Sequence, residues 1–435
     1  MRSRLRSVDP SLLAVVAEGF LSRLAFGMVS FALPLFALQE LGLSIAQIGF
    51  LVSVNFMVAI ALKPVMGAVA DRIGLKLGLV GAIALRSVVS LLLAFVAVPW
   101  QLFAVRGLHG VSMAMRDPSV NAIIAEQGGK RTIAQSFAWY QTAKTVAGSA
   151  GRLLAGVLLT LTAADFSLVF LAAFALSSLP LVVVVRYVRA PSTRAAEESV
   201  VEPPFQADGR DPGSEAAIEG RPAIAPFMGL GFLISGTAYM LANLFPIFAV
   251  EYAGLSEAQA GAIYGISTVV AFSGPIFGWL SDNVSRKLVL SVRSVANVAS
   301  SVLYLVAPSL AGLAVGKGLD DAGKAAFRPA WGALMAHVSG YDRRRRARTM
   351  GYMSMGESAG EMTGPIVAGL LWGAFGVPVL LATRIGLAIL TEIYTVVLTR
   401  RLERAEVHGR SPGPNHEAAA QGRERDQPRT ALSSR

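Results

Sequence analysis

Two stretches of this chain carry charged residues at helical spacing inside otherwise apolar sequence. The first holds Arg106, His109, Arg116 and Asp117, and the second holds Lys317, Asp320, Asp321, Lys324 and Arg328. At about 100° per residue the first four, with Met113, fall within one arc of roughly 100°, and the second five share a face of about that width. Glu357 and Glu361 lie one helical turn apart, Lys144 and Arg152 two turns apart, and Glu18 and Arg23 stand near the start of the chain. A charge in hydrocarbon is costly, so such side chains must pair with one another or line a wet cavity. Two kinds of chemistry follow. Basic residues can hold an anionic group, and carboxylates can take up and release a proton. The expected binding set is Arg106, His109, Arg116, Asp117, Lys317, Lys324 and Arg328. The expected proton carriers are Asp320, Asp321, Glu357 and Glu361, with Asp321 preferred because Lys317 and Lys324 would compete with its proton. The plainer reading is internal ion pairing, for which Lys317 with Asp321, and Asp321 with Lys324, have suitable spacing. No nucleophile–base pair stands out, the four His show no metal-ligand spacing, and there is no cysteine. Neither an enzyme, a metal site nor a cofactor is expected.

The elements that position these residues are apolar and long. Of 435 residues, 54% are hydrophobic and only 15% charged, with mean hydropathy +0.55; soluble domains carry roughly a quarter charged residues. At about 20 apolar residues per crossing, twelve spans are expected: 11–38, 46–70, 77–97, 100–123, 133–161 and 165–188, then 223–251, 258–280, 287–307, 309–337, 347–373 and 377–400. The fold class is thus an all-α membrane protein. A net charge of +11 raises nucleic acid as a partner. The Lys and Arg, however, sit in short loops between apolar runs, which argues against it. The loops Gln39–Ile45, Val96–Pro99, Thr162–Asp165, Tyr252–Glu257, Ala307–Ser309 and Gly376–Pro378 contain no Lys or Arg, whereas the alternate loops and both termini are basic. The positive-inside rule places both termini in the cytoplasm and the chain in a plasma or bacterial inner membrane. The run from Ser11 to Leu38 is too long for a cleaved leader and reads as a retained first span.

The spans fall into two repeats. Residues 41–49 align without gaps on 253–261, Pro34 matches Pro246, Pro118 matches Pro329, and Arg106 matches Lys317. Lys144 matches Glu357, so the first half tends to be basic where the second is acidic. The expected domains are a six-helix bundle over 1–189, a Pro- and Glu-rich linker over 190–222, a second bundle over 223–401, and a disordered tail over 402–435. Such a duplication in a membrane chain puts a substrate site near the midplane between the bundles.

The sharpest motif is the polar hinge Gly67-x-x-x-Asp71-Arg72-x-Gly74-x-Lys76, with a degraded copy around Asp282. It resembles the signature loop between helices 2 and 3 of the major facilitator superfamily, with Leu75 in place of a basic residue. Arg106-x-x-x-Gly110 is similar to that family's helix 4 motif. The resemblance implies two pseudo-symmetric six-helix bundles working by alternating access. Helices 1, 4, 7 and 10 would line the cavity, and Gly67, Asp71, Arg72, Gly74, Lys76 and Asp282 would act in gating. It also implies that Asp71 latches onto the start of span 11, near Arg348 and Thr349. The family's exporters carry a G-P-x-x-G-G motif in helix 5. Here Arg152 stands in place of the Pro, and the better match, Gly364-Pro365 to Gly369, lies in span 11. The expected function is a secondary transporter, proton-coupled because carboxylates lie within its spans, leaning to efflux of a small amphipathic or anionic compound. The alternatives are proton-coupled uptake of a small anionic metabolite and a non-transporting receptor on the same fold. Expected partners are the substrate, protons and the bilayer, with the chain a monomer.

Overall fold

The computed structural model describes residues 10–127, 133–188, 223–340 and 346–410. The expected linker, the tail beyond Arg410 and the loops at 128–132 and 341–345 lie outside them. Among the described residues there is helix and no strand, as hydrocarbon requires of a chain that must satisfy its own backbone hydrogen bonds. The first half comprises α1 Pro10–Gln39, α2 Ile45–Ile73, α3 Leu75–Leu93, α4 Pro99–Gln127, α5 Ile133–Leu161 and α6 Phe166–Tyr187. In the second half α7, Ala225–Ala242, is extended by short turns through Tyr252; α8 is the pair Glu257–Ala271 and Gly274–Asn283. Then follow α9 Arg286–Val306 and α10 Leu310–Gly340. The last helix, Arg346–Arg410, is broken at Gly376 (φ 83°), which divides it into α11 and α12. α12 runs to Arg410, past the expected boundary at 401.

The duplication is visible in local chemistry. Gly42 and Gly254 both have positive φ (64° and 68°), a backbone that glycine adopts without steric cost. Each is followed by the same cap. Ser44 accepts from the backbone of Gln47 while Gln47 accepts from the backbone of Ser44, and Ser256 and Gln259 do likewise. These reciprocal bonds satisfy orphan donors at the start of α2 and α8.

The halves meet at the end that carries the Lys- and Arg-free loops. There one apolar core draws from both, with Phe31, Phe36, Ile48 and Leu51 packed with Phe245, Phe248, Tyr264 and Leu380. Two helix crossings make the seam. A Cβ on Gly369 of α11 would stand 3.0 Å from the Cα of Gly49 on α2, and one on Gly156 of α5 would stand 3.0 Å from the Cα of Gly261 on α8. Small residues let backbones approach this closely. The same end is tied by Gln39 donating to Glu251 (2.6 Å) and by the Ala258 amide donating to Thr160 (2.9 Å). Toward the basic end the cores separate. Val15, Leu79, Ile83 and Val184 pack within the first half, and Phe227, Leu290, Trp331 and Leu334 within the second. The molecule is thus closed at one end and parted at the other, among the described residues. Large apolar side chains such as Leu77, Val182, Phe272, Leu370 and Ile393 are exposed, an outer surface suited to lipid. By length and composition, seven described stretches qualify as membrane spans. Helices α4, α5, α8 and α10 fall short, α8 because it is interrupted and the others because they carry charges.

Candidate functional site

Glu18 organises the first half. It is fully buried on α1, and Arg116 of α4 grips both its oxygens, Nε–Oε1 at 3.1 Å and an Nη–Oε2 contact at 2.7 Å. Arg86 of α3 approaches Oε1 at 3.4 Å and also bonds Ser22, which donates to Glu18 at 2.7 Å. A two-point Arg–carboxylate contact fixes orientation as well as charge, so α1, α3 and α4 are pinned around one carboxylate. Beside it lies a cavity of about 150 Å³ lined by residues including Ser22, Arg23, Phe26, His109 and Lys144.

Arg106 does not line that cavity. It is buried and turned to α2, bonding the Asn55 side chain and the Val52 carbonyl (3.4 Å), with His109 Nδ1 3.5 Å away. Gly110 explains the reach. A Cβ there would stand 2.6 Å from the Asn55 carbonyl, so its absence lets α4 close on α2 and brings Arg106 onto that backbone. Gly110 and the Arg106 contacts thus bring α4 against α2. The side chain of Asp117 lies outside those described.

In the second half Asp320 of α10 plays the part of Glu18. It accepts from Arg384 of α12 at 2.8 Å, Arg293 of α9 at 3.1 Å and Lys324 at 2.6 Å. Arg384, with no exposed surface, also donates to the Thr237 carbonyl (3.1 Å) and to Ser301 (2.7 Å). Asp321 is held by Lys317 and Ser267, with Lys324 at 3.4 Å. The ion pairing that the spacing allowed is therefore realised on α10. Asp320 and Asp321, expected as proton carriers, are each already engaged by more than one cation.

Glu357 and Glu361 differ. Glu357 accepts from the Trp331 indole at 3.2 Å. Glu361 faces the Tyr239 hydroxyl, with Arg328 and, from α2 of the other half, Lys63 within electrostatic reach. Neither carboxylate has a cation within 4.0 Å among the described residues. Arg328 is exposed although it lies within α10. Its electrostatic neighbours are Arg23, Tyr239, Glu357 and Glu361, so it faces the gap between the halves. At the hinge, Gly74 has φ 90° and makes the reversal from α2 to α3. Lys76 donates to the Val185 carbonyl at 3.0 Å, tying α3 to α6, and Arg72 is exposed. The side chains of Asp71 and Asp282, and the surroundings of Gly67, lie outside those described.

A family model described as the Major Facilitator Superfamily matches residues 18–316 and 227–432. The chain belongs to that superfamily. It is 25% identical over 373 residues to Multidrug resistance protein 1 of Bacillus subtilis, covering 83% of this chain and 90% of that protein. It is 28% identical over 152 residues to the Gentisate transporter of Corynebacterium glutamicum, a match spanning 35% of this chain and 33% of that protein. Among solved structures it is similar to the nucleoside transporter NupG (TM-score 0.66, 17% identity, 91% of this chain and 99% of that one). It is also similar to a bacterial homologue of the human lysosomal transporter Spinster (TM-score 0.68, 17% identity, 92% of this chain and 98% of that one). These likenesses establish the fold of a superfamily transporter.

Sequence reasoning missed Arg86, Arg293, Arg384 and Lys63. Each is a basic residue set apart inside a span, and that was the available signal, because an intramembrane charge implies a partner elsewhere. The clusters on α4 and α10 drew attention by density, while these residues supplied the partners.

Proposed function

We propose that this superfamily transporter works by alternating access and moves a small organic anion together with protons. The single observation that carries the reading is the gap. The halves share one core at one end, keep separate cores at the other, and turn Arg328, Glu357 and Glu361 into the space between. By the positive-inside rule the parted end, which carries the basic loops, is cytoplasmic, as are both termini. The membrane is then a bacterial inner or plasma membrane.

The proton is assigned to Glu361, with Glu357 beside it, because neither has a cation as close as those around Asp320 and Asp321. The sign of coupling follows from charge. Ionised, Glu361 offsets Arg328; protonated, it leaves that cation to attract an anion. Proton and anion therefore favour each other's binding, the linkage a symporter needs. An antiporter needs them to compete. This disposition favours uptake over the efflux to which the sequence leaned. Efflux keeps one support, the similarity to Multidrug resistance protein 1 along most of the chain.

The test uses purified protein in liposomes loaded with a pH-sensitive dye and challenged with a panel of organic anions. Symport acidifies the lumen as an external anion enters. Luminal alkalinisation would establish antiport and reverse the assignment. Glu361→Gln is expected to preserve counterflow and abolish the response to a pH gradient. A normal pH-driven response in that variant and in Glu357→Gln would remove both from the coupling role.

A further inference from the structure

The cavity beside Glu18 has properties that the carrier reading alone does not use. Around it stand Arg23, Arg86, Arg116 and Lys144, and Glu18 accounts for Arg86 and Arg116. Arg23 is different. Among the described residues no carboxylate lies within 4.0 Å of it. Its electrostatic neighbours include three further guanidinium groups, those of Arg116, Arg152 and Arg328. Two of these four cations crowd one spot. A Cβ on Gly148 of α5 would stand 3.4 Å from Arg23 Nε and 3.7 Å from an Arg152 Nη. Two guanidinium groups this near to each other, with no carboxylate within 4.0 Å of Arg23 among the described residues, form a site that an anion stabilises.

The same cavity is also lined by Phe26, His109 and Met113. Arg23 lies over the Phe26 ring, 4.6 Å from its centroid. Phe26 meets His109 edge-on, with ring centroids 5.3 Å apart at 88°. The volume of about 150 Å³ is the size at which a protein cavity accepts a benzene ring.

We propose that this pocket binds a small aromatic carboxylate, with Arg23 holding the carboxylate and Phe26, His109 and Met113 flanking the ring. The proposal deepens the carrier reading and rests on it: the pocket is where the transported anion is held within the first half. A compact inorganic anion would match the charge and leave Phe26, His109 and Met113 unused. A neutral ring would match those side chains and leave Arg23 without a counter-charge.

The experiment measures thermal stabilisation and equilibrium binding on the full-length protein in detergent, with benzoate, benzamide, acetate and inorganic phosphate as probes. Benzoate is expected to stabilise saturably, and the other three to bind at least tenfold more weakly. Arg23→Gln should weaken benzoate at least tenfold. Gly148→Ala, which places a methyl group between Arg23 and Arg152, should weaken it severalfold, and it keeps the test available if Arg23→Gln fails to fold. Equal binding of benzamide, tighter binding of phosphate, or unchanged benzoate affinity in both variants would overturn the proposal. In parallel, single cysteines placed at the two ends of the gap report whether access alternates. Alternating access without benzoate binding would sink the pocket and leave the carrier reading standing. Cysteines that never alternate would sink the carrier reading, and with it the assignment of this pocket to transport.

Discussion

The two halves descend from one pattern and use their charges in opposite ways. In each, a buried carboxylate gathers basic residues from several helices. Glu18 holds Arg86 of α3 and Arg116 of α4, and Asp320 holds Arg293 of α9, Lys324 of α10 and Arg384 of α12. The carboxylates are not repeat equivalents, since one sits on α1 and the other on α10. Around Asp320 the charges meet at close range and Arg384 also binds backbone and hydroxyl oxygens. Around Glu18 two guanidinium groups are held and a cavity remains beside them. The second half thus contributes a closely ion-paired block, with Glu357 and Glu361 turned to the gap. The first half contributes an electropositive hollow. A shared scaffold fixes where helices cross, and side-chain identity then decides which crossing becomes a lock and which a site.

The sharpest way to break the comparison is to remove each central acid. Asp320→Ala leaves three cations without their shared partner, two of them fully or nearly buried. Removing one member of a buried pair costs about 3–5 kcal/mol, and loss of folded protein in detergent is the expected result. Glu18→Gln should rank next, at about 3 kcal/mol, because it strands two cations and keeps Ser22 and an amide oxygen as acceptors. Thermal unfolding of the two variants side by side checks the order. A milder effect at Asp320 than at Glu18 would mean that the second half is not the more tightly locked one.

The seam offers a smaller effect. In Gly156→Ala the new methyl group meets the Glu257 carbonyl and the Gly261 backbone. Overpacking of about 1–3 kcal/mol is expected to part the closed end and shift the population about fivefold or more, since 1.4 kcal/mol is about tenfold. Cysteines introduced at Gln39 and Glu251, which hydrogen-bond across the seam, should then crosslink in lower yield. Undiminished crosslinking would show that the glycine crossing is not what holds that end shut. The smallest effect is expected at the hinge. If Asp71 meets the start of α11, as the family resemblance implies, the contact is worth roughly 0.3–2 kcal/mol, and Asp71→Asn should raise the population open at the basic end severalfold with the fold intact. Spin-label distances between the basic ends of α2 and α11 read this, and an unchanged distribution would reduce Asp71 to a turn residue.

Much of this architecture was legible as pattern. The apolar runs, the alternation of basic and non-basic loops, and the repeat that pairs Gly42 with Gly254 and Gly156 with Gly369 follow from local composition, because a bilayer accepts little besides apolar helices. The spacing on α10 likewise named the Lys317–Asp321 pair. Partnership across helices was not legible. Nothing in the sequence joins Glu18 to Arg116, or Asp320 to Arg384, and without those contacts Arg106 and Arg116 looked like one binding face. Folding separates them, turning Arg106 to α2 and Arg116 to α1.

The sequence by itself determined which segments lie in lipid, how they repeat and which residues would be costly there. Those properties depend on the transfer of each side chain from water and on periods of a few residues. Tertiary structure decided which charges are spent on one another and which remain for a ligand or a proton. A buried charge is defined by the groups within a few ångströms of it, and here those groups come from helices tens to hundreds of residues away.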